Sequence, residues 1–200
     1  MLNLIPNAIK EYHTGTTCDS VYDELYNQRI IYLAGTIDTA EEVAFLIMQI
    51  MHLSVHDPDS PITLVINSPG GNVLNGMAVY DALKASPCRI ITVCIGTAAS
   101  MGAVLFEAGD ERCILPHSSI MIHDPSVSNV YGTAVSLQET VERVMDIRDM
   151  TAGIFAERTG KTKKEILRLT SRDTWMDAET AVRENFADRI VNTLDEVVKL

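Results

Sequence analysis

The chain is expected to be an α/β protein built around a largely parallel sheet, and three observations carry that expectation. Short apolar, β-branched runs alternate with helical runs along the chain. Two of the strand-like runs, "PITLVINS" (61–68) and "RIITVCIG" (89–96), are apolar almost throughout, as strands covered on both faces are. Each leads through a glycine-bearing turn into a helical stretch, the order of a βαβ unit with right-handed crossovers.

The elements follow in order. "RIIYLAG" (29–35) is a short β-rich run ended by glycine. "TAEEVAFLIMQIMHL" (39–53) opens on Thr39 and Glu42, the spacing of a capping box, and continues as a helix. After the strand "PITLVINS" comes the helix "GMAVYDALKAS" (76–86), then "RIITVCIG", then "ASMGAVLFEAG" (99–109), a helix ended by Gly109. "CILPHSSIMIHD" (113–124) reads as one or two strands and "SVSNVYGTA" (126–134) as irregular. From Ala134 to about Arg158, Leu137, Val141, Val144, Ile147, Ile154 and Phe155 recur close to a 3.6 period, which predicts one long helix. Such a helix is either a core element or an arm that docks on a neighbouring subunit. Thr162 and Glu165 repeat the capping-box spacing, and "DAETAVRENFADRIVN" (177–192) closes as a helix and a short strand.

Composition narrows the function. Two hundred residues suit one domain, and 46% hydrophobic with 22% charged residues is ordinary for a globular chain. A net charge of -11 repels phosphate backbones, so no nucleic-acid partner is expected. The greasiest run, "VAFLIMQIM", is broken by Gln49 and too short to span a bilayer, and "MLNLIPNAIKEYH" does not read as a signal peptide. A soluble cytoplasmic protein without membrane contact is the expectation. Cys18, Cys88, Cys94 and Cys113 form no C-x-x-C pair and lie in apolar surroundings, so reduced, buried thiols are expected rather than a zinc site.

Four stretches could carry chemistry. "GTAASMGA" (96–103) follows an apolar strand and places Ser100 near the first turn of a helix, where Met101 could offer a backbone N–H to an oxyanion. The same eight residues suit tight packing of helix on sheet, and the G-x-S-x-G elbow is absent. "INSPGGNV" (66–73) is a second glycine-rich turn after a buried strand, able to point N–H groups at a ligand or simply to turn the chain. Both turns should lie on one edge of the sheet, where open α/β sheets bind ligands. Of His13, His52, His56, His117 and His123, only His123 ends a strand beside a loop, a good position for a general base, though structural histidines are commoner. His52 and His56 stand one turn apart but lack a third metal ligand, so surface positions are expected. In "TSRDTWMDAETA" (170–181), Asp173 is either a carboxylate that orients an imidazole or a cap or ion-pair partner.

Taken together, "INSPGG", "GTAASMGA", "MIHDP" and "SRDTWMDAETA", in this order and at these separations, resemble the proteolytic subunit of the Clp protease, the ClpP family. The resemblance runs from "LIP" near the start to "ADRIV" near the end. It implies a crotonase-like α/β core with a long protruding handle helix. The parts would be an N-terminal segment and first helix (1–28), an α/β head (29–125), a handle strand and helix (126–160) and the closing part of the head (161–200). It implies Ser100 as nucleophile, His123 as base, Asp173 as its orienting partner, and Gly71 and Met101 as oxyanion donors, with no metal and no organic cofactor. Val127, Ser128 and Asn129 match the handle strand that binds substrate. The implied assembly is a homo-oligomer of stacked seven-membered rings, with unfolded protein as substrate and an AAA+ unfoldase as partner.

The chain departs from the family pattern at several positions. Asp124 stands where glutamine usually follows the histidine, which predicts a pull on the imidazole. Val127 and Ser128 replace paired glycines, and Ser171 replaces an acid that helps join rings in relatives. Thr63, Val65, Ala85 and Cys113 match positions of the unfoldase-docking cleft where relatives carry aromatic residues, so docking by this subunit alone should be weak or absent and a mixed particle with a paralogous ring is implied. Two other functions stay in view: a weakly active structural ring subunit, and a crotonase-type acyl-CoA enzyme, which shares the core but needs no Ser-His-Asp set.

Overall fold

The structure, a computed structural model, describes residues 7–12 and 15–198. His13 and the "LIP" run lie outside the described residues, as does the side chain of Cys18. The N-terminal segment holds an antiparallel hairpin, β1 (Asn7–Tyr12) and β2 (Gly15–Ser20), which no strong turn signal announces in the sequence. Helix α1 (Val21–Asn27) follows, capped reciprocally by Ser20 and Asp23.

The core alternates as expected: β3 (Ile30–Ile37), α2 (Ala40–His56), β4 (Ile62–Gly71), α3 (Val73–Ala85), β5 (Ile90–Ala99), α4 (Met101–Phe106), β6 (Glu111–Ile114) and β7 (Ser119–Ile122). Then come the 26-residue α5 (Ala134–Thr159), α6 (Lys163–Thr170), β8 (Thr174–Asp177), α7 (Ala178–Arg183), β9 (Arg189–Ile190) and α8 (Leu194–Val198). Thr39 with Glu42 and Thr162 with Glu165 form the capping boxes that their spacing predicts. β8 and α8 have no periodic signature of their own, because each is held by what it pairs with or packs on.

The main sheet runs β3-β4-β5-β6-β9, with β7 joined to β5 and β8 to β7. Every pairing in it is parallel except β7 with β8. The two-residue period of a strand divides the apolar residues between two faces. Ile62, Leu64, Ile66 and Ile90 pack under α2, α3 and α4 with Leu46, Ile50, Val79, Leu83 and Phe106. Ile30, Val65, Ile91, Val93 and Cys113 form a second, smaller core on the other face with Val191 and Val197, and Leu25 packs against it. The unbroken apolar character of β4 and β5 follows from this double coverage.

The long helix matches its expected span. It buries only Ala152, Phe155 and Thr159, all in its C-terminal third, and at ~1.5 Å per residue it is about 39 Å long. Val135, Val141, Met145 and Met150 are exposed on it, while Val144 is half-buried. Gly160 ends it in the left-handed conformation (φ 73°), its N–H bonded to the Ala156 carbonyl. Residues 126–132, expected as a handle strand, pair with no strand among the described residues, and a β-strand needs a ladder partner. Among the described residues, no helix is long and apolar enough to cross a membrane.

Candidate active site

Two glycine-bearing turns meet at the C-terminal ends of adjacent parallel strands. β4 and β5 pair in step from Ile62 to Ile66, then the register shifts so that Ser68 faces Ala98. β5 accommodates the shift at Gly96, whose φ of 88° suits glycine. Contacts then lock the turns together. The Asn67 carboxamide oxygen accepts a bond from the Thr97 N–H (3.3 Å), and a Cβ placed on Gly102 would stand 2.9 Å from the Ser68 carbonyl oxygen.

Gly70 makes the tightest approach. Its φ is 96°, and a Cβ there would sit 2.7 Å from the Ala99 carbonyl oxygen, 2.7 Å from Ser100 Cβ and 2.9 Å from the Met101 nitrogen. Only a glycine lets the first turn lie against the second. The sequence marks the Pro-Gly-Gly turn but does not single out Gly70, because the neighbour it touches is 30 residues ahead. Gly71 (φ 153°) is confined by Ile37, its partner on β3: a Cβ would meet the Ile37 nitrogen at 2.6 Å.

Ser100 sits at the N-cap of α4 with φ 54° and ψ -121°, a conformation that L-residues rarely adopt. Its own N–H is bonded to the Met121 carbonyl on β7 (2.8 Å), and its side chain makes no capping bond. The hydroxyl instead meets the imidazole: Oγ lies 2.8 Å from His123 Nε2. His123 follows the last residue of β7, so the β5–β7 pairing of Ala99 with Met121 sets that separation. Asp173 stands on the other side of the ring, with Oδ1 3.6 Å from Nδ1 and a side chain 67% exposed. That distance exceeds a hydrogen bond, so the third member is near but not engaged. A small pocket opens beside the pair, lined by Val73, Val104, Ile147, Thr151 and Phe155. The nearest buried thiol on β5, Cys94, is no competing nucleophile, since burial pushes it up to about 12.

The family model for Clp protease matches residues 13–194 of the 200. The chain belongs to the Clp protease family. The alternating α/β architecture with its mostly parallel sheet agrees with that membership.

Within this Clp protease family fold, the remaining expected positions fall apart into separate places. Val127, Ser128 and Asn129 are exposed, and Asn129 has φ 55°. Asp124 does not reach for the imidazole as its position in the sequence suggested: its carboxylate is taken by Arg148 on α5 and Thr170 on α6. Thr63, Val65 and Cys113 are buried, at 5%, 3% and 0% exposure, on the smaller core's face of the sheet. Val65 and Cys113 pack there with Val191 and with Val197 of α8. Ala85 is on the opposite side, at the end of α3, and lines an apolar groove with Ile47, Met51 and Val55. A single chain therefore does not bring these four positions into one cleft. His52 and His56 are exposed, their rings stacked at 5.7 Å.

Proposed function

We propose that this chain is a serine endopeptidase subunit that cleaves unfolded polypeptide inside a chamber of stacked seven-membered rings. The observation that carries the reading is the 2.8 Å contact between Ser100 Oγ and His123 Nε2 at the mouth of an apolar pocket. His123 accepts the hydroxyl proton as Oγ attacks a peptide carbonyl carbon, and a tetrahedral oxyanion forms. The N–H groups of Met101 and Gly71 are the donors for that oxyanion, with Gly70 keeping the two turns close enough to share one oxygen. Collapse expels the amine, which takes the proton from His123, and an acyl-enzyme remains on Ser100. Water, deprotonated by the same imidazole, then releases the acid. Asp173 orients the ring and balances the imidazolium once it closes its 3.6 Å gap, and catalytic bonds are often longer in a resting enzyme than in its substrate complex. The exposed 127–129 backbone is free to pair with an extended peptide, which gives affinity through main-chain bonds and little side-chain selectivity.

The 3.6 Å gap supports a second reading, in which the chain is a weakly active ring member that gains full activity beside a paralogous ring. One experiment separates the readings. A fluorophosphonate should label Ser100 of the purified protein, and Ser100→Ala should lower peptide turnover at least about a thousand-fold with unchanged particle mass. Labelling without turnover points to the second reading. No labelling at Ser100 removes both.

A further inference from the structure

We infer that Asp124 is a positioning residue for His123: with Arg148 and Thr170 it clamps the chain after the histidine to the long helix and to the segment that carries Asp173. The inference rests on the peptidase reading of Ser100 and His123.

Three bonds converge on this one residue. The Asp124 N–H donates to the Thr170 carbonyl (2.7 Å), the Thr170 hydroxyl donates to Oδ1 (2.5 Å), and Arg148 Nε donates to Oδ2 (2.6 Å). Charge-assisted bonds of this length are the stronger kind. Thr170 is 4% exposed, so its end of the clamp is fixed in the core.

The frame these bonds make encloses the two triad residues other than Ser100. Ile122 pairs with Thr174 in the antiparallel β7–β8 ladder. Asp124 is tied to Thr170. The pairs 122–174 and 124–170 therefore bracket both His123 and Asp173 between them. The separation of His123 and Asp173 is set by this frame rather than by a bond between the two, since they stand 3.6 Å apart and Asp173 is largely exposed. Loosening the 124–170 side lets the histidine segment move relative to Asp173 and to Ser100. Arg148 extends the clamp to α5, so the position of the long helix is felt at the histidine.

The test uses the assembled protein with two readouts: steady-state hydrolysis of a short fluorogenic peptide, and the NMR signal of the His123 ring labelled at Cε1. Asp124→Asn and Arg148→Ala should each lower kcat about ten-fold or more, as expected for a sub-ångström misplacement, with KM changed less than about two-fold. Arg148→Lys, which keeps the charge, should recover most of the loss. The His123 Cε1 signal should shift or broaden in Arg148→Ala and Asp124→Asn and return towards its wild-type position in Arg148→Lys. Particle mass and melting temperature, recorded on the same samples, report folding. Wild-type-like kcat and an unmoved ring signal in both variants overturn the inference, as does a lowered melting temperature with kcat and ring signal unchanged. If wild type proves inert to the phosphonate, the peptidase reading fails, while the ring signal still decides whether the clamp acts on His123.

Discussion

At the scale of single residues, the site depends on positions that carry no reactive group. Gly70→Ala forces a methyl group to within 2.7 Å of Ser100 Cβ in a backbone conformation (φ 96°) that alanine resists. The expected result is a loss of about 1–3 kcal/mol of stability by denaturant melts and at least a ten-fold fall in peptide turnover. A second residue ends α4. Glu107 is fully buried, with Oε2 2.5 Å from Arg112 Nη1 and Oε1 without a hydrogen-bond partner among the described residues. Arg112 is also paired with Asp188 (2.6 Å), so one guanidinium faces two carboxylates. Asp188, partly exposed, is held below its usual range by Arg112, while burial pushes Glu107 up from 4.5 to about 7. A carboxyl that holds its proton more tightly when folded stabilises the fold most below its unfolded value and loses that contribution as pH rises through the folded one. Wild type should therefore lose stability relative to Glu107→Gln between pH 4.5 and 7, read from paired melts across that range. A flat difference would show that Glu107 is ionised throughout.

At the scale of elements, the long helix carries an exposed apolar row. Val141 (61% exposed) and Met145 (50%) stand one turn apart on α5, where no other described residue covers them. We propose that another ring covers this row, each Å² of apolar area removed from water contributing about 25 cal/mol. Val141→Asp and Met145→Asp should split the particle into single rings or smaller species by native mass spectrometry, with activity falling in step. An unchanged particle would leave α5 an arm without a ring contact. The helix itself was legible in the sequence, because twenty-six residues give a 3.6 period room to declare itself. The row that stays exposed was not: Val144, which shares the period, is half-buried. Periodicity reports that a helix has an apolar side, but not how far along its length the core extends.

At the scale of the whole molecule, the two faces of the sheet have different owners. One is covered by α2, α3 and α4, the other by a thin layer that includes Val191 and Val197. Thr63, Val65 and Cys113 offer no aromatic anchor of their own to an apolar loop of a partner, and Tyr32, the strand partner of Val65, is the one aromatic beside them among the described β3 residues. We propose on this basis that the homomeric particle docks an AAA+ unfoldase weakly or not at all, and that a paralogous ring supplies the contact in a mixed particle. ATP-dependent degradation of an unfolded protein should then require the paralogue, whereas short peptides should be cut without it. Robust degradation by the homomeric particle with an ordinary unfoldase would show that the altered face still docks.

The sequence by itself determined the alternation of strands and helices, the double burial of β4 and β5, the helix starts at Thr39 and Thr162, and four motifs whose order resembles one family. These are local facts: a period, a cap and a turn are written in consecutive residues. Tertiary structure decided what the motifs do to one another. It alone set the 2.8 Å contact of Ser100 with His123, the approach of Gly70 to Ser100, and the left-handed backbone at Ser100 that aims the hydroxyl away from its own helix. It also gave Asp124 its partners, 24 residues away at Arg148 and 46 at Thr170, and so turned a carboxylate expected to act on the imidazole into one already bound. The physical reason is the same in each case. Such contacts are made by chain segments far apart in sequence, and their geometry is fixed by strand register and by which face each element buries, not by the residues' own preferences.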